Sequence, residues 1–129
     1  MILNINKAVN TLLSNFSIST NPLAQGQGLN ERLFCEGTTS EQSYANMNLR
    51  PQGNYSIDFV LVNGTEKDKN SFMIRFSEII EYFRMEVPHV FRNDFIIVDW
   101  IISNQDTHQD KTTGTCTGVF TLNISVIAK

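Results

Sequence analysis

The sequence predicts one α+β domain: a mostly antiparallel sheet of four to five strands with two helices packed on one face, in the order α-β-β-β-α-β-β. Three observations predict it. An alternating stretch, Tyr55 to Val62, passes through a charged turn, Glu66-Lys67-Asp68-Lys69, into a helical stripe from about Asn70 to Val87. A second helical stripe stands near the N-terminus, and two further strand patterns, Phe95 to Ile102 and Thr115 to Ala128, follow. A chain of 129 residues suits a single domain, and at that size folding buries roughly two-thirds of the surface the unfolded chain would expose. The expected division is an N-terminal helix over about 4–16, a flexible linker over 17–31 and an α+β core over 32–129.

The N-terminal helix rests on Ile5, Val9, Leu12, Leu13 and Phe16, which fall at i, i+4, i+7, i+8 and i+11, with Asn4 placed to cap it. Ser17 to Pro22 supplies breakers, and the stretch to Asn30 has no periodicity. Gly26 and Gly28 lack a strand before and a helix after, so they do not make a phosphate-binding loop. Arg32 to Glu36 reads as a short strand and Thr38 to Gln42 as a loop. Ser43 to Arg50 reads as a thin strand with Tyr44, Met47 and Leu49 as its large apolar residues, suited to an edge or a projecting arm. Arg50-Pro51-Gln52-Gly53-Asn54 has the chemistry of a hairpin turn.

In the following strand, Tyr55, Ile57, Phe59 and Leu61 share one face. Ser56, Asp58, Val60 and Val62 share the other, which is therefore only partly polar. The helix after it carries Phe72, Met73, Phe76, Ile79, Ile80, Phe83 and Val87 on one stripe. Asp68 or Asn70 is placed to cap its start and Pro88 to stop it. Phe95 to Ile102 is nearly all apolar, which predicts a central strand buried on both faces. Ser103 to Gly114 reads as a long polar hairpin loop. In the last strand Cys116, Gly118, Phe120, Leu122, Ile124 and Val126 face one way, with Gly118 a possible bulge site.

Composition excludes several classes of function. A net charge of −3, with ten basic residues scattered along the chain, forms no cationic patch to neutralise phosphates, which argues against nucleic acid as a ligand. No run approaches the ~18 apolar residues of a membrane span, and no signal-peptide pattern opens the chain, so a soluble cytoplasmic product is expected. Cys35 and Cys116 are expected as free thiols.

Candidate chemistry is sparse. Asp106, His108 and Asp110 alternate as metal ligands do, but the loop lacks the glycine and terminal glutamate of a calcium site and has no second histidine for zinc, so no metal is expected. His89 and His108 lie beside no nucleophile motif. Asp58 and Asp99, both in strands, are candidates for a carboxylate pair, and Trp100 beside Asp99 for a pocket wall, with an ordinary core position the simpler reading of Trp100. No catalytic residue and no cofactor are expected.

Between Leu49 and Val126 the sequence resembles the small minor capsid and tail-terminator (neck) proteins of tailed bacteriophages. The resemblance rests on Arg50-Pro51-Gln52-Gly53 before the strand Tyr55 to Val62, on the helix around Phe76-Ser77-Glu78-Ile79-Ile80-Glu81-Tyr82-Phe83, and on a last strand preceded by an acidic polar loop. It implies a structural, non-enzymatic subunit that closes into a ring, commonly a hexamer, at the head-proximal end of the tail. Its implied partners are itself, the tail tube protein and the head-completion or connector protein, with no membrane, in the host cytoplasm and then the virion. Surfaces fitting that role are Tyr44, Met47 and Arg50 on the thin strand, Asp58, Val60 and Val62 on the second strand face, Glu66, Lys67, Asp68 and Lys69 in the charged turn, and Asp106, His108, Asp110 and Lys111 in the long loop. The competing reading is a small enzyme or ligand-binding domain with a pocket near Trp100 and Asp99.

Overall fold

A computed structural model describes residues 2–24, 31–44, 51–63, 69–110, 112 and 114–129. The elements are α1 (Ile2–Ala24), β1 (Glu31–Tyr44), β2 (Pro51–Asn63), α2 (Lys69–Phe91), β3 (Phe95–Gln109) and β4 (Cys116–Ala128). The four strands form one antiparallel sheet in the order β1-β2-β4-β3. The class is α+β, with the order α-β-β-α-β-β in place of the expected α-β-β-β-α-β-β.

β1 runs unbroken from Glu31 to Tyr44, so the expected strand Arg32 to Glu36, the expected loop Thr38 to Gln42 and the first two residues of the expected thin strand Ser43 to Arg50 form one strand; the rest of that thin strand, residues 45–50, lies outside the described residues. A polar stretch such as Thr38 to Gln42 serves a strand as well as an apolar one when its backbone pairs, and here it pairs with Gly53 to Ile57. A register shift between Cys35 and Gly37 absorbs one residue. Pro51 to Asn54, expected in a turn, are the first residues of β2.

The strand residues in the core all come from one face. Tyr55, Ile57, Phe59 and Leu61 of β2 pair with Ile124, Leu122, Phe120 and Gly118 of β4, and both helices cover this face. At its centre the Phe59 and Phe120 rings stack at 5.2 Å, and Phe83 of α2 meets both edge-on at 4.9 and 5.0 Å. Gly118 is no bulge, since the β2–β4 register runs through it unshifted. It is a glycine because the Phe76 ring lies on it, 2.5 Å from where a Cβ would stand.

The α2 stripe of Phe72, Phe76, Ile79, Ile80, Phe83 and Val87 is buried, whereas Met73 is 45% exposed. Pro88 does not stop α2. It removes one backbone donor, but burying Val90 and Phe91, worth roughly 1.5–3 kcal/mol each, carries the helix a further turn. The Arg92 N–H then donates to the Pro88 carbonyl at 3.1 Å. Asn4 and Asn70 lie inside their helices, and Asp68 falls outside the described residues.

Helix α1 buries Ile5, Ala8, Val9, Leu12 and Phe16, mainly against α2. It runs to Ala24, past the expected end at residue 16, and takes in most of the expected linker; residues 25–30 are outside the described set. The Tyr82 hydroxyl ties the helices together by donating to the Leu12 carbonyl at 2.9 Å, and the Phe16 and Tyr82 rings pack edge-on at 5.3 Å. Burial and the nearby Glu86 carboxylate push the Tyr82 hydroxyl up to a pKa of about 12.

Strand β3 is an edge strand, not a central one. Its apolar run is buried only toward the helices: Phe95 is 1% and Ile102 8% exposed, but Ile96, Val98 and Ile101 are 44%, 55% and 60% exposed. It also extends to Gln109, so most of the expected long loop is strand. Register shifts interrupt it between Ile97 and Asp99 and between Ser103 and Asp106, the second around Asn104, whose φ of 55° is a left-handed conformation that asparagine tolerates. The connection to β4 is short: Asp110 N–H donates to the Thr115 carbonyl and Gly114 N–H to the Asp110 carbonyl, both at 2.8 Å, with Gly114 at φ 78°.

Candidate assembly surface on the uncovered sheet face

Among the described residues no helix lies over the opposite face of the sheet, and the cross-strand register defines its rows. One row is Arg32, Val62, Thr117 and His108; the next is Phe34, Val60, Val119 and Asp106; a third brings Asp58 to Thr121 and Ser103. Strand alternation puts every member on the same side. The structure thus unites Asp58, Val60, Val62, Asp106 and His108, which the sequence places in two distant stretches. It adds Arg32, Phe34, Thr117 and Val119, which had drawn no attention.

Seven polar side chains of this face bond to one another. Thr121 donates to Asp58 at 2.7 Å and Ser125 to Asn54 at 2.6 Å; Ser56 donates to the Asn123 carbonyl oxygen at 2.7 Å, and the Asn123 amide donates to Ser103 at 2.7 Å. Most side-chain hydrogen bonds in proteins go to backbone or water, so four side-chain pairs on one face are a distinct pattern. Beside them runs an apolar band: Val60 is 7% exposed between half-buried Phe34 and exposed Val119, and Ile96 and Ile101 stand out at the β3 side.

Of the other expected site residues, the described ones, Tyr44, Lys69 and Asp110, are not on this face. Asp110 organises the β3–β4 turn by accepting the Thr112 N–H at 2.8 Å. Tyr44 ends β1 opposite Pro51, and Lys69 begins α2. Met47, Arg50, Glu66, Lys67, Asp68 and Lys111 lie outside the described residues.

Asp58 and Asp99 form no carboxylate pair. They sit opposite Thr121 and Ser125, on strands flanking β4, and Asp99 accepts only the N–H of its neighbour Trp100 at 2.8 Å. Asp99 and Trp100 also point to opposite faces, since Trp100 pairs with core-facing Ile124. Trp100 is half-buried against the core and lines a cleft of about 410 Å³ with Phe95, Ile97, Pro88, Arg92 and Lys129. Among the described residues no three His, Cys, Asp or Glu side chains lie together as metal ligands do, and no helix is long and apolar enough to cross a membrane. Cys35 and Cys116 are free thiols.

The fold and this face define an α+β domain with one helix-covered and one bare sheet face. In comparisons with known proteins, no family model and no curated protein matches the chain.

Proposed function

We propose that this chain is a structural subunit of a tailed phage or prophage, one that closes into a ring at the head-proximal end of the tail, ends tube growth and joins tail to head. The observation that carries this reading is the uncovered sheet face. Seven of its polar side chains, from Asn54, Ser56, Asp58, Ser103, Thr121, Asn123 and Ser125, already bond to one another, so covering them with another subunit orphans few donors or acceptors, while Val119, Ile96 and Ile101 supply apolar area to bury. The order of elements between Leu49 and Val126 is compatible with the neck-protein resemblance. The enzyme reading draws less support, because Asp99 and Trp100 face opposite ways and only the Trp100 side opens on a cleft.

Light scattering coupled to size exclusion, over a range of concentrations and with the tail tube and connector proteins added, tests the proposal. A concentration-dependent oligomer, or a ring formed on either partner, is the expected result. A chain that remains monomeric at high concentration and binds neither partner overturns it.

A further inference from the structure

We propose that the cleft beside Trp100 is a binding site for a carboxylate carried on an apolar body. The wall is apolar: Phe95, Ile96, Ile97 and Trp100 come from the start of β3, and Pro88 from the last turn of α2. The two charges lining it, Arg92 and Lys129, have the same sign. Both are exposed, and neither side chain has an ion pair or hydrogen bond among the described residues, whereas Arg75 and Arg84 are paired with Glu78 and Glu81. In a chain of net charge −3, two unpaired cations beside one apolar hollow mark a local preference for an anion.

Opposing charges nearby are few. Asp94 lies between Arg92 and Phe95 in sequence, but its carbonyl accepts the Lys129 N–H at 3.3 Å and its side chain is not part of the wall. The C-terminal end of α2 contributes a partial negative charge of about one half and the α-carboxylate of Lys129 one more, and the two side-chain cations together still exceed them. The volume of about 410 Å³ falls within the roughly 300–1,000 Å³ usual for small-molecule sites. An apolar chain would lie along Ile97 and Trp100 with its carboxylate accepting hydrogen bonds from the guanidinium and the ammonium. This inference does not depend on the ring reading.

Trp100 is the only tryptophan in the chain, so its fluorescence reports directly on the cleft. Titrating the full chain with octanoate should give a saturable change in Trp100 emission, with the neutral octanamide binding about tenfold more weakly or worse. Arg92→Gln and Lys129→Gln, singly and together, should weaken octanoate and leave octanamide unchanged; both residues are exposed, and far-ultraviolet circular dichroism verifies the fold. Amide shifts in nitrogen-15 NMR should centre on residues 88–100. Equal binding of the acid and the amide overturns the proposal, as do no saturable change, unaltered octanoate affinity in the double variant, or shifts centred on the uncovered sheet face.

Discussion

The two faces of the sheet are made by the same four strands yet solve opposite problems. On the helix-covered face, alternate residues of β2 and β4 are aromatic and aliphatic and are held by ring contacts with α2. On the bare face, the intervening residues of the same strands are Ser, Asp, Thr and Asn that bond across the strands, with one apolar band between them. The difference teaches that the two faces are separable residue by residue. Shifting one position along β2 moves from a side chain packed under the helices to one on the opposite face of the sheet.

Substitutions on each side sharpen that comparison. The largest effect is expected for Phe83→Ala, which deletes a fully buried ring touching Phe59 and Phe120; a loss of about 3–5 kcal/mol in urea-induced unfolding is expected. Gly118→Ala puts a methyl group against the Phe76 ring and should cost about 1–3 kcal/mol by the same measurement. An unchanged midpoint for Gly118→Ala would show that Phe76 moves aside freely and that this end of the core is loosely packed.

The two core tyrosines give a finer contrast. Tyr82→Phe removes the hydroxyl bond to Leu12 and should cost about 1 kcal/mol. The buried Tyr55 hydroxyl has no partner among the described residues, so Tyr55→Phe should change stability by less than about 0.5 kcal/mol or raise it slightly. The pH dependence carries the same signature. The Tyr82 pKa is raised from its ordinary 10.0 to about 12 in the fold, so its contribution is complete below pH 10 and is lost as pH rises toward 12. Burial raises Tyr55 in the same direction. Tyr82→Phe should therefore make the alkaline fall in stability shallower without abolishing it, as measured by melting temperature against pH.

The smallest effect on stability belongs to the bare face. Val119→Lys, at a position 36% exposed, should shift unfolding by less than about 0.5 kcal/mol. If this face joins subunits, the same substitution should lower the oligomer fraction in light scattering. An intact oligomer would move the contact elsewhere.

Much of the fold was legible because periodicity reports burial. The alternation in β2 and β4 and the stripes in α1 and α2 identified core residues, with exposed Met73 and partly buried Leu13 the exceptions. Strand extent and position were less legible, for physical reasons. Ser103 to Gln109 and Thr38 to Gln42 are polar, and a backbone ladder leaves no mark in side-chain polarity. The apolar run Phe95 to Ile102 looks the same in a central strand and in an edge strand whose outer side chains await a partner, since only the neighbours distinguish them. Pro88 reads as a stop until the burial of Phe91 is known. On the candidate surface, Asp58, Val60 and Val62 were legible from the mixed second face of β2. Arg32, Phe34 and Val119 were not, because only long-range register sets them beside those residues.

The two register shifts in β3 and the one in β1 fall on the two outer strands of the sheet, and none falls between β2 and β4. Each breaks the regular spacing of outward-facing donors and acceptors, so neither margin offers an unbroken straight template on which copies stack indefinitely. A chain that exposes Ile96, Val98 and Ile101 along such a margin would otherwise invite fibrous growth. If copies of this chain associate, blunted margins favour contact through the broad face, where contacts are finite in number and assembly has a place to stop.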